Sequence, residues 1–183
     1  MQTQERPKRQ RRRRKAPIQA TPEVMEDIYV SVAEPDDEPG ILELARLVHH
    51  ENGLFDMNEG KVVAMLRPAL YRMRGICGVI GEKDKLTGVI LLRVSNYWYS
   101  DTEFLEEMCV FVHPEHRHAA GGRASKLIEF AKKAADTLGM PLMIGVLSND
   151  RTNAKIAMYE RHFGPQAGAF FLHNARTGHS TLN

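Results

Sequence analysis

The chain has 183 residues, 43% of them hydrophobic and 26% charged, with a formal net charge of +2. That length and apolar content suit one domain with a real core and exclude a fibrous or wholly disordered class. No run approaches the ~18 apolar residues of a membrane helix, and the start is too charged for a secretory signal, so a soluble, cytoplasmic protein is expected, with a nuclear location open for a eukaryotic source.

The small net charge hides a division. Residues 1–15 carry Arg6, Lys8, Arg9, Arg11, Arg12, Arg13, Arg14 and Lys15 against Glu5, a net +7, which leaves the rest of the chain at −5. Such a block repels itself and has nothing apolar to bury, so it reads as a disordered arm, expected to bind nucleic acid or another polyanion, with a solubilising arm or a nuclear-import signal as the alternatives. Residues 17–25 read as a linker, which divides the chain into an arm with linker, 1–25, and a folded domain, 26–183.

The domain opens with Ile28, Val30 and Ala33 alternating with polar residues, as a first strand would. Asp36 and Asp37 offer caps for a helix with Ile41, Leu44, Ala45 and Val48 on one face. A second helix is expected to start at Asp56 and run through Val62, Met65, Leu66 and Ala69, with Pro68 kinking or breaking it. Two apolar strands follow at 76–80 and 89–94, joined by a hairpin turn, and residues 96–101 form another turn carrying Trp98 and two tyrosines. Residues 103–112 are the next strand, which His113-Pro114 stops because proline has no N–H for the ladder.

After a basic turn come Gly121 and Gly122, then Ala124, Leu127, Ile128, Ala131, Ala135 and Leu138 at helical spacing, with Gly139 as the stop. A strand at 141–147, a helix at 152–163 and a last strand at 167–173 complete the pattern. Strand, glycine turn and helix in that order make an anion site, since the first helical turn has free N–H groups and a partial positive charge. A phosphate or pyrophosphate is the expected ligand, although no GK[ST] follows to make a P-loop.

Cys77 and Cys109 lie in apolar runs without metal or redox spacing and are expected to be free buried thiols of a reducing compartment. The histidines of HPEHRH and the His49-His50-Glu51 group lack a second ligand set, so no metal is expected.

Val112-His113-Pro114-Glu115-His116-Arg117, followed by Ala120 and Gly122, resembles the acyl-CoA-binding motif V-x-P-x-x-R/Q-x-x-G-x-G/A of the GNAT superfamily of N-acetyltransferases. Ala120 stands where the family has its first glycine, and Gly121 follows as an extra one. The order of elements over roughly residues 28–173 also resembles that fold, which implies an α/β domain with a mixed, mostly antiparallel sheet flanked by helices. The ending GPQAGAFF is similar to GNAT-like proteins of tailed bacteriophages.

The resemblance implies an enzyme that moves an acetyl group from acetyl-CoA, as co-substrate, to an unspecified amine. Arg117, His118, Ala119, Ala120, Gly121, Gly122 and Arg123 would hold the pyrophosphate, and the backbone of Val110, Phe111 and Val112 the pantetheine arm and the carbonyl. Glu106 matches the place where histone-type relatives carry the carboxylate that accepts the amine's proton; Glu107 is the alternative if a bulge changes the facing. Residues 153–163 resemble the family's N-x-x-A-x-x-x-Y-E-K-x-G-F, so Tyr159 would protonate the departing thiolate and Asn153 would contact the CoA. The competing class is a non-catalytic structural or interaction protein of the same fold whose arm does the work, and neither class decides between monomer and homo-oligomer.

Overall fold

The computed structural model describes residues 28–117, 122–147, 152–171 and 173. The basic arm, the linker and the expectation of polyanion binding lie outside the described residues, as do His118, Ala119, Ala120 and Gly121. Besides two single-turn 3-10 helices, Pro35–Asp37 and Pro114–His116, the described residues form β1 Ser31–Val32, α1 Glu38–Asn52, α2 Glu59–Leu70, β2 Gly75–Glu82, β3 Lys85–Asn96, β4 Glu103–Val112, α3 Arg123–Leu138, β5 Leu142–Met143 and α4 Thr152–Phe163. The five strands form one sheet in the order β1-β2-β3-β4-β5, antiparallel throughout except that β4 and β5 are parallel.

The sheet is buried on both faces, and period-2 alternation sorts its side chains. Cys77, Val79, Val89 and Leu91 face α1 and α2, against Ile41, Leu44, Val48, Leu66 and Leu70. Ile80, Ile90, Leu92 and Leu105 face α3, against Leu127, Ala131 and Ala135. Leu127 and Ile128 are wholly buried, each burial contributing about 1.5–3 kcal/mol. The helical face read from the sequence thus holds, except that Leu138 at its end is 52% exposed.

Several boundaries differ from those expected. Helix α1 does follow Asp37, but that carboxylate accepts the Glu34 backbone N–H at 2.7 Å rather than a helical one. Asn58 rather than Asp56 caps α2, its Oδ1 accepting from the Lys61 N–H at 3.1 Å. Pro68 does not break α2, because it sits in the last turn, where only one internal hydrogen bond is forfeited before the helix stops at Leu70. His49, His50, Glu51 and Asn52 form the last turn of α1. The first strand shrinks to two residues, and the expected strand at 141–147 to Leu142–Met143. Residues 167–171 and 173 form no strand, and Phe170 and Phe171 are exposed rather than paired.

Candidate active site

Two irregularities on β4 build the site. The first is a bulge: Leu91 pairs with Cys109 while the next residue, Leu92, pairs with Glu107, so Met108 is an extra residue on β4. A bulge breaks the alternation of facing, which is why Cys109 and Phe111 pack with the α1–α2 core and Val110 and Val112 with the α3 core. The second is a parting of strands. β4 and β5 pair only at Leu105 with Leu142 and Glu106 with Met143, after which the chain of β5 leaves the ladder.

A cavity of about 300 Å³ occupies the parting. Glu107, Met108, Cys109, Val110 and Phe111 form one wall, Gly145, Val146 and Leu147 the other, and Lys155 and Tyr159 of α4, Val48 and Asn52 of α1, and Phe170 complete the lining. Lys155 and Tyr159 reach it together because residues four apart share a helix face. Glu107 spans the gap where backbone pairing stops, its Oε2 accepting the Gly145 N–H at 3.4 Å.

The two neighbouring glutamates sit in different surroundings. Glu106 accepts from the Arg93 guanidinium at 2.5 Å on the α1–α2 side of the sheet and does not line the cavity. Glu107 does line it, and burial pushes its carboxyl up to about 7, with the Gly145 N–H pulling down and Glu106 pushing up. Tyr159 is raised as well, first by burial and then by Glu107 and Cys109, so its hydroxyl stays protonated at neutral pH. Burial raises Cys109 far above the usual thiol range and Cys77 to about 12, which leaves neither a nucleophile. The cavity therefore pairs a carboxylate that titrates near neutrality with a phenol that can only donate.

The glycine turn is partly described. Gly122 caps α3 in the left-handed region, φ 59°, which glycine adopts at little cost, and among the described residues beyond its chain neighbours only Ser125 lies within 4 Å of where a Cβ would be. No acidic residue stands in the first turn of α3, so the positive end of the helix is not neutralised. Arg117 and Arg123 are both turned to the protein: Arg117 binds the Val112 carbonyl at 3.1 Å and Glu51 at 2.5 Å, and the buried Arg123 donates to Thr87 Oγ1 at 3.1 Å. Asn153 is exposed in the first turn of α4 and lines no part of the cavity.

Sequence reasoning thus brought Tyr159, Val110, Phe111 and Glu107 to one place and missed Lys155, Asn52, Gly145 and Phe170. Lys155 had a usable signal in its spacing from Tyr159; the others depend on how the chain parts and returns.

The fold is matched among known proteins. The family profile described as the acetyltransferase (GNAT) family matches residues 23–164. A possible acetyltransferase from Clostridium difficile 630 is similar at 21% identity and TM-score 0.59, covering 81% of this chain and 97% of its own. An aminoglycoside acetyltransferase from an uncultured soil metagenomic sample is similar at 18% identity and TM-score 0.59, over 82% of this chain and 96% of its own. A ribosomal-protein-alanine N-acetyltransferase from Brucella melitensis biovar Abortus 2308 is similar at 12% identity and TM-score 0.59, over 81% and 97%. No curated protein matched the chain. The three likenesses concern the fold, whereas the profile spans most of the chain, from before β1 to the end of α4, and with it the chain belongs to the GNAT family of acetyltransferases.

Proposed function

We propose that the enzyme transfers acetyl from acetyl-CoA to a primary amine by direct attack, with Glu107 as the general base and Tyr159 as the general acid. The observation that carries this is the meeting of those two side chains in one cavity where β4 and β5 part. Acetyl-CoA would supply an activated thioester, so the protein needs no nucleophile of its own, in keeping with two strongly raised thiols. A protonated alkylamine, with a pKa of about 10.4, must lose a proton before attack, and a carboxylate near 7 accepts it better than an ordinary one. Tyr159 then returns a proton to the leaving sulfur. Glu106, neutralised by Arg93, is left to hold β3 to β4. The helix N-terminus at Gly122 takes the pyrophosphate through backbone N–H groups, and the role of the two arginines there is to brace the turn.

Calorimetric titration of the protein with acetyl-CoA tests the reading. Micromolar binding is expected, abolished in Gly122→Glu with the thermal melt showing that the variant is still folded. An absence of heat in the wild type, or equal binding by the variant, contradicts it.

A further inference from the structure

A second cavity, of about 400 Å³, lies away from the proposed chemistry at the end of the sheet where β2 turns into β3. Leu44, Leu47 and Leu86 form its floor, and Leu47 is 39% exposed. Glu43, Asp84 and Glu115 stand on its rim against one ammonium, Lys85. None of the three carboxylates holds an ion pair among the described residues; Arg46 of α1 binds Glu59 through two hydrogen bonds, and Lys83 binds Asp36. The His113 and His116 rings, with centroids 5.4 Å apart and planes tilted by 66°, also line it.

We infer that this groove docks the chain's own arginine-rich segment, residues 6–15. Three observations converge on that occupant. The first is shape and polarity: a leucine floor takes the methylene stem of an arginine while rim carboxylates and imidazole faces take its guanidinium. The second is charge, since a segment of net +8 belongs to a chain that is −6 elsewhere, and unpaired carboxylates line this groove.

The third is the point of entry. Ser31 pairs with Val79 and Val32 with Gly78, antiparallel to β2, so tracing back from Ser31 to Ile28 leads toward the Lys83-Asp84 turn, and Asp84 is on the groove's rim. The 12 residues between Lys15 and Ile28 reach up to ~40 Å when extended, more than the width of a small domain's face. Ile28 and Val30 pack on the α3 face of the sheet, so the linker has to round the β1 edge to reach the groove, a path within its ~40 Å reach. A polyanion and the groove would draw on the same arginines, so the docked arm is withheld from other partners.

Zero-length carbodiimide coupling in the full chain reads this directly, because it joins Lys8 or Lys15 only to a carboxylate in contact with it. A mixture of unlabelled and isotope-labelled protein separates links within one chain from links between chains. The expected products are same-chain links from Lys8 or Lys15 to Glu43, Asp84 or Glu115, falling several-fold at ~1 M salt, where screening acts over about 3 Å. As a second measurement, full-length protein with Arg11, Arg12, Arg13 and Arg14 changed to Ser should show faster backbone hydrogen exchange at residues 84–87 and 115–116. Links scattered over the domain's exposed carboxylates, links found only between chains, or exchange unchanged in the variant would each overturn the proposal.

Discussion

Glu106 and Glu107 are adjacent on one strand and separate into two kinds of chemistry. Glu106 lies on the ladder side, where Arg93 from β3 reaches it; Glu107 lies where β5 has left the ladder, and its carboxylate takes over one of the N–H groups the missing strand pairing leaves behind. The difference is not in residue type but in what stands opposite: the Arg93 guanidinium binds the first, while burial pushes the carboxyl of the second up to about 7. The proposed general base is thus set apart from its neighbour by a gap in a sheet.

Removing each carboxylate in turn is the strongest way to break that comparison. Glu107→Gln should lower kcat/KM by about 10²–10⁴, the range of a positioned proton-transfer group, for whichever amine the wild type turns over fastest. Glu106→Gln should cost far less, under about tenfold, with its loss appearing in stability. Comparable losses in both would mean the two sites are not chemically distinct.

Tyr159 sharpens the contrast from the other side of the cavity. Tyr159→Phe should keep acetyl-CoA affinity and lower kcat about tenfold to a thousandfold. An unchanged kcat under conditions where chemistry limits the rate would remove the general-acid role.

A smaller effect lies in stability. Because the native carboxyl of Glu107 is raised above its unfolded value near 4.3, its protonated form stabilises the fold; that contribution is complete below about pH 4 and is lost as pH rises through about 7. Glu107→Gln, which cannot ionise, should therefore be more stable than the wild type above pH 7, by on the order of 1–3 kcal/mol, and no more stable near pH 4. Denaturant melts at the two pH values measure it, and a gain of the same size at both would contradict the burial argument.

How far the site was legible depends on which residues carried a period. β4 at Glu103–Val112 and α4 at Thr152–Phe163 have the bounds expected of them, because an apolar run and a helical stripe are written in residue types. Tyr159 followed from the second of these. The bulge at Met108 leaves no such trace, since Glu106-Glu107-Met108-Cys109 reads equally well as unbroken strand; only the pairing with Leu91 and Leu92 decides which glutamate meets the cavity. The short β5 and the unpaired residues 167–171 were likewise opaque, because an apolar segment has strand propensity whether or not a neighbour is present to pair with it. Arg117 and Arg123 looked like ligands for a phosphate by charge alone, yet Glu51, the Val112 carbonyl and Thr87 had claimed them.

The most direct measurement needs no substrate. Carbon-13 NMR of the side-chain carboxyl groups, followed against pH in the full-length protein and assigned by the loss of one resonance in Glu107→Gln, reports the proton affinity of that group alone. The account predicts a Glu107 resonance that titrates near pH 7. A resonance that titrates near 4.3, the ordinary range for a solvated glutamate, would show that the parting of β4 and β5 does not make a base.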